Sequence, residues 1–351
     1  MKFIVDLPLT LYERLRELAG GEADSLEVAR FIRIAIENQV ELETADEGPV
    51  ERPGRETALK GASGSPSGNA ARLRSATGTQ EATAAVWDGL RSRDLSLDSI
   101  RASAPRHLTK DPLWGQYNRL FPLKYAVRQL ALMQIEAQGP VPLREFHAVA
   151  ANRAIRIRGL LEQLDARNDL PRGERLSAAF PSGLKESSPT RFQSHFLGYL
   201  QSDGTPVGAL LEIGFANASA GPKPTVEASD VGIAFAKLPN PLIDGDGTAA
   251  EALGDEEAEF ILNLISRALP GERNLITSYL LWIGDGKNTP TEIMNRTRRK
   301  WPKWTEKVAG SMRAGALGRM QELGLIGRER DGLHVRYTLT PRGASFAKET
   351  R

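Results

Sequence analysis

Residues 44–110 constrain the fold most. They are so rich in Ala, Gly, Ser, Thr, Pro and Glu, as in GASGSPSGNAARLRSATGTQEATAA, that little apolar surface is left to bury. Such composition does not offset the entropy of ordering, and it predicts a flexible linker. Any core must then be built on the flanks. Within the stretch, Val86-Trp87-Asp88-Gly89-Leu90 is amphipathic and reads either as a docking peptide or as a transient helix. With 351 residues, the chain has room for two or three domains.

Ahead of the linker, residues 2–7 alternate, with Phe3, Val5 and Leu7 on one face and Lys2, Ile4 and Asp6 on the other, until Pro8 stops the strand. Thr10-Leu-Tyr-Glu13 and Asp24-Ser-Leu-Glu27 have the spacing of capping boxes. Leu11, Leu15 and Leu18 then mark one helix, and Val28, Phe31, Ile32, Ala35 and Ile36 a second. A one-strand unit of this size is too small for its own core, so it is expected to oligomerise.

Charge is segregated. From residue 287 to the end there are fifteen Lys and Arg against six Asp and Glu, a net of +9, while the preceding 286 residues carry −7. Such asymmetry points to a polyanion-binding end. Between residues 114 and 237 the patterns predict helices at 120–132, 143–149 and 153–164, β-rich runs at 192–200 and 207–215 around Ser202-Asp203-Gly204-Thr205, and a helix at 229–237. The last third repeats that order: helices at 255–269, 275–283, 291–298 and 305–323, then strands at 328–330 and 333–339 flanking Asp331-Gly332, a strong hairpin signal. An internal match supports the parallel. Residues 229–237 and 340–348 both read [ST]-x-x-G-x-x-F-A-K, 111 residues apart.

The segments FIVDLPLTLYERLREL and SLEVARFIRIAIENQ resemble the ribbon-helix-helix family of the CopG/Arc type. That resemblance implies an intertwined homodimer through residues 1–43, held by Phe3, Val5, Leu7, Phe31, Ile32 and Ile36. In DNA-binding members the outward ribbon residues read the major groove. Here Asp6 is in that set and the segment is acidic, with five basic against nine acidic residues, which favours dimerisation over DNA reading. The stretch GLIGRERDGLHVRYTLTPRGASFAK is similar to the wing and closing segment of winged-helix regulators of the MarR/PadR type. It implies a recognition helix in the major groove and a wing on the adjacent backbone.

The residues support that implication physically. On the helix at 305–323, Val308, Met312, Ala316, Met320 and Leu323 share one face, and Lys307, Ser311, Ala314 and Gly318 another. Small residues on the second face would let the helix lie close to a groove wall, with Lys307, Ser311 and Arg313 reaching phosphates or bases. Upstream, Arg296, Arg298, Arg299, Lys300 and Lys303 form a basic run around Trp301, and Arg328, Arg330, His334 and Arg336 cluster on the wing. In the middle region Arg153 and Arg156 are weaker DNA candidates, offset by Glu145, Glu162, Asp165 and Asp169.

Catalysis finds little support. Without cysteine there is no disulfide, thiolate zinc site, iron–sulfur cluster or cysteine nucleophile. His107, His147, His195 and His334 have no metal-like spacing, phosphate-binding glycine loops are missing, and Asp244-Gly-Asp-Gly-Thr248 lacks calcium-loop spacing. No cofactor is expected. Apolar runs are too short to span a membrane, and the first residues do not resemble a signal peptide, so a cytoplasmic, nucleoid-associated protein is expected.

The sequence thus predicts a mainly α chain with small β-hairpins: a ribbon-helix-helix at 1–43, a disordered linker at 44–110, a first winged helix at 111–245 and a second, basic one at 250–351. The expected activity is sequence-specific binding of double-stranded DNA by a dimer, for transcriptional regulation or DNA partition. The alternative is an interaction scaffold, with a protein partner held by the linker or by the first winged helix.

Overall fold

The structure, a computed structural model, describes residues 85–171, 173–183, 187–246, 249–331 and 334–350. The chain divides into Met1–Ser67 and Gly68–Arg351, and every described residue belongs to the second unit. The ribbon-helix-helix segment and its residues Phe3, Val5, Leu7, Phe31, Ile32 and Ile36 lie outside the described residues.

The linker expected to reach residue 110 is corrected for residues 85–110. Trp87, Leu90, Leu95 and Leu97 are buried, with the Trp87 ring edge-on to Phe121 at 6.3 Å. Four large apolar side chains within eleven residues supply the burial that the preceding polar stretch lacks. They pack on α1 (Phe121–Ala137), whose N-terminal turn carries Pro122 and whose end is set by Gln138 in the left-handed region.

Next come β1 (Val141–Pro142) and α2 (Leu143–Arg167). The break expected near residues 150–152 does not occur. Ala150-Ala151-Asn152 contains no helix breaker, and Ala150, Ala151 and Ala154 are all buried, so packing carries the helix through. A second correction concerns the β-rich runs at 192–200 and 207–215. They form α3 (Ser187–Phe192), a wide helical turn at Gln193–Leu197, and α4 (Ala209–Glu212). Strand pairing there is limited to β2 (Tyr199–Leu200) with β3 (Pro206–Val207). Phe192, Phe196, Leu197, Leu210 and Leu211 are all buried, and a short apolar run buried on every side does not reveal whether it is strand or helix.

The larger hairpin is β4 (Ala216–Ser219) with β5 (Thr225–Ala228), and β1 joins it in the order β1-β5-β4, all antiparallel. Helix α5 (Asp230–Lys237) follows and packs on α1. The second module opens with α6 (Asp255–Ala268) and α7 (Pro270–Gly284), followed by α8 (Pro290–Lys300) and α9 (Glu306–Glu322). Strands β6 (Ile326–Asp331) and β7 (His334–Leu339) pair from Ile326 opposite Leu339 to Asp331 opposite His334. Helix α10 (Pro341–Glu349) packs on α7, as α5 packs on α1.

The nine-residue repeat is realised atom by atom. Ser229 Oγ donates to the Gly214 carbonyl at 2.6 Å and accepts from Gly232 N at 3.0 Å. Thr340 Oγ1 donates to the Gly324 carbonyl at 2.6 Å and accepts from Gly343 N at 3.0 Å. Gly214 and Gly324 both have positive φ, 80° and 67°. A Cβ on Gly232 or Gly343 would stand 2.0 Å from the carbonyl oxygen of Phe215 or Leu325, so both glycines are dictated by close approach. Upstream, Glu212-Ile-Gly-Phe215 matches Glu322-Leu-Gly-Leu325, which lengthens the correspondence. In the second module Tyr337 N donates to the Asn288 carbonyl at 3.0 Å, where in the first β1 pairs with β5.

The two modules share one continuous hydrophobic core. A buried ion pair joins them, and a second pair braces the first module beside it. Lys124 of α1 lies 3.0 Å from Glu257 of α6 and donates to the carbonyls of Phe235 and Leu238 at 2.6 Å each. Burial lowers the Lys124 ammonium to about 8, and Glu257 opposes that shift. Arg128 of α1 grips Asp244 at 2.8 Å together with the carbonyls of Ala236 and Leu238. Among the described residues no helix is long and apolar enough to cross a membrane.

Candidate nucleic-acid interface

Helix α8 starts at a capping box between Thr289 and Glu292 and has Pro290 in its first turn. Its buried side is anchored by Ile293 and by Thr297, whose Oγ1 bonds the Ile293 carbonyl at 2.8 Å and meets Tyr279 Oη at 2.9 Å. Beyond its end, Trp301 and Trp304 stack with centroids 4.9 Å apart and planes 10° from parallel, and Trp282 of α7 meets Trp301 edge-on at 6.3 Å. This aromatic wall sorts the basic run into two groups.

Arg296 and Lys300 are engaged by it. The Arg296 guanidinium lies 6.0 Å from the Trp282 ring centroid, and the Lys300 ammonium 5.2 Å from that of Trp301. Lys300 also donates to Asn274 Oδ1 at 2.9 Å and Ser278 Oγ at 2.5 Å, and desolvation holds its pKa below the ordinary lysine value. Lys300 is nonetheless exposed, as are Arg298, Arg299 and Lys303, while Arg296 is half-buried. Arg298 and Arg299 line an open cleft of about 450 Å³ with Asn295, Pro302 and Trp304, and Arg298 Nη1 stands 3.6 Å from Glu306 in the first turn of α9. Lys307 is exposed in the same turn.

Of the expected small-residue face of α9, Ser311 and Gly318 are covered by the chain itself, while Lys307 and Ala314 are exposed. Segment 113–120 runs along the helix, so close that a Cβ on Gly315 would stand 2.1 Å from the Gly115 carbonyl oxygen and one on Gly318 2.6 Å from that of Asn118. Gln116 donates to Ser311 Oγ at 3.1 Å, and Ser311 is buried. Glu322 accepts from Leu120 N at 2.5 Å and Phe121 N at 3.0 Å. Arg319, buried together with Glu272 at 2.8 Å, donates to the Tyr117 carbonyl at 2.7 Å and the Leu113 carbonyl at 3.3 Å. Ser311 is thereby corrected as a candidate for reaching DNA. Arg313 is half-buried and donates to the Pro290 carbonyl at 3.0 Å. Small residues and a cation in a core register serve an internal contact here, and only Arg319, interrupting the Met312–Ala316–Met320 line, signalled it in the sequence.

The wing cluster is also divided. Directly opposed residues share a face and neighbours along a strand alternate. Arg328 and Arg330 therefore face one way with their partners Tyr337 and Val335, while Arg336 and His334 face the other with Glu329 and Asp331. Arg328 is half-buried, 3.6 Å from Glu174 of the first module. Arg330, His334 and Arg336 are exposed.

In the first module Arg153 donates from Nε to the Val86 carbonyl at 3.1 Å, from Nη1 to Gln129 Oε1 at 3.2 Å, and from Nη2 to the Asp88 carbonyl. It staples the 86–88 segment to α2, which corrects its placement among DNA contacts. Arg156 is exposed. His147 bonds the Gly198 carbonyl through Nε2 at 2.7 Å, and His195 sits 6.5 Å from the Tyr117 ring, its pKa pushed down to about 4 by burial and then by Arg191.

The arrangement thus offers four exposed cations within ten residues, Arg298, Arg299, Lys303 and Lys307, from the end of α8 to the first turn of α9, with Arg298 and Arg299 in one cleft beside Trp304. Chemically, these are point charges and planar forks suited to phosphate oxygens. Comparison of the chain with protein-family models, with curated proteins and with solved structures finds no match.

Proposed function

We propose that this protein binds double-stranded DNA and that the second module, folded as a winged helix, carries the contact. The observation that supports this reading most is the exposed set Arg298, Arg299, Lys303 and Lys307 at the α8–α9 corner, where a winged helix meets the duplex. Arg330, His334 and Arg336 on the β6–β7 ribbon extend the charge. In this reading the first module is a second winged helix that holds α9 in place rather than a second reader. Residues 1–43 join two chains as a ribbon-helix-helix, giving a homodimer in the cytoplasm associated with the nucleoid, and the task is transcriptional regulation or DNA partition. The two copies of the second module in such a dimer gain avidity where site spacing allows both to bind.

The test is titration of the full chain against a fluorescein-labelled duplex by anisotropy. Micromolar or tighter binding, weakened at least about tenfold when Arg298, Arg299, Lys303 and Lys307 are all replaced by alanine, is the expected result. Binding that is absent, or unchanged in that variant, removes the reading and leaves an interaction scaffold as the alternative.

A further inference from the structure

The outward ridge of α9 is chemically sparse. Helical spacing puts Lys307, Gly310 and Ala314 on the side opposite the buried Met312, Ala316 and Met320. Further along the helix, Gln321 lines the cleft that Arg119, Arg328 and Arg342 share with the 250–255 segment. The other polar candidates are already committed: Ser311 is buried against Gln116, and Arg313 is drawn to the Pro290 carbonyl. Glu306, the carboxylate nearest the ridge, faces Arg298 at 3.6 Å.

Reading base edges in the major groove takes Arg or Lys on guanine, Asn or Gln on adenine, a carboxylate on cytosine, a hydroxyl, or an apolar group against the thymine methyl, which is the single such contact open to Ala314. Lys307 stands at the start of the helix, and Gln321, in register with it, stands at the far end in the cleft lined by Arg119, Arg328 and Arg342. Gly310 and Ala314 present no polar side-chain atom, and their small size lets the helix backbone come close to a duplex. The groups bordering the ridge, Arg298, Arg299 and Lys303, have the chemistry of phosphate contacts, which position a protein without carrying sequence information.

We infer that the second module holds duplex DNA by its phosphates and that α9 contributes no base code, so its ligand is a duplex of any sequence. This inference rests on the DNA-binding reading above and departs from the sequence-specific recognition that the composition and motifs led us to expect.

The test titrates the full chain at fixed salt against duplexes of equal length, one of them enriched by selection from a random pool, with Lys307→Ala and Ala314→Gly chains in parallel. Affinities within about tenfold of one another support the inference. A wider spread that persists unchanged in both variants overturns the any-sequence ligand, since another part of the chain then reads the bases. Lys307→Ala is expected to weaken binding to every duplex by one common factor, about three- to tenfold. An enriched duplex preferred by more than about tenfold, with the preference collapsing in either variant, overturns the inference. A chain that binds no duplex at all overturns the DNA-binding reading and this inference with it.

Discussion

The two modules repeat one local geometry and differ in what leads into it. In the second, a single 17-residue helix, α9, precedes the shared turn and leaves Lys307, Gly310 and Ala314 outward. In the first, the corresponding stretch is split into the end of the wide turn, the β2–β3 pair and α4, and Phe196 within it is buried. The basic residues diverge likewise. Arg153 and Arg158 of the first module bond its own carbonyls, whereas Arg298, Arg299, Lys303 and Lys307 of the second are exposed. A shared frame can therefore be kept by a few caps and close contacts while the surface it presents changes completely.

The modules differ most in what closes α9 from the side, and the largest expected effect lies there. Arg319→Ala leaves Glu272 buried without its partner and frees the Leu113 and Tyr117 carbonyls, so it should cost about 3–5 kcal/mol in urea unfolding. A loss below about 1 kcal/mol would mean that segment 113–120 does not bind the modules together. The repeated glycines are a sharper test of equivalence. Gly232→Ala and Gly343→Ala both force a Cβ against a carbonyl at 2.0 Å, and each should lose about 1–3 kcal/mol by similar amounts. A large effect at one and none at the other would break the structural parallel.

His195 belongs to the first module alone and gives it a pH dependence. Its pKa of about 4 in the folded chain lies below the ordinary 6.5, so the unfolded chain takes up a proton that the folded chain refuses between those values. Stability is then complete above about pH 6.5 and declines toward pH 4, by up to about 3 kcal/mol, and His195→Gln should flatten that part of the profile. An unaltered profile in the variant assigns the decline to other groups. The smallest effects are expected at the paired caps, where Ser229→Ala and Thr340→Ala should each cost about 1 kcal/mol in thermal or urea unfolding. Measurably different losses would show that the caps carry different loads.

What was legible in the sequence was local. Thr305 and Thr340 cap the helices expected after them, and the nine-residue match marks a shared geometry. Asp331-Gly332 announces a hairpin between β6 and β7. The fate of polar and small residues was not legible, because it depends on contacts between distant segments. Ser311 and Gly318 look like part of a groove-facing surface until Gln116 and Asn118, some two hundred residues earlier, are laid against them. Arg153 likewise reads as a free cation until residues 86–88 are seen on it. Trp87 and Leu90 were hidden in a stretch whose average composition is that of a linker, although their own burial decides the structure there.

The salt dependence of duplex binding by the full chain, compared between two sets of alanine substitutions, tests most directly which module meets the DNA. One set replaces Arg298, Arg299, Lys303 and Lys307, and the other replaces the exposed Arg144, Arg156 and Lys223 of the first module. If the second module holds the duplex, the first set reduces the slope of log K against log salt by about 0.9 for each phosphate no longer neutralised, and the other leaves it in place. A slope that changes with the first-module set and not with the second-module set would contradict that assignment.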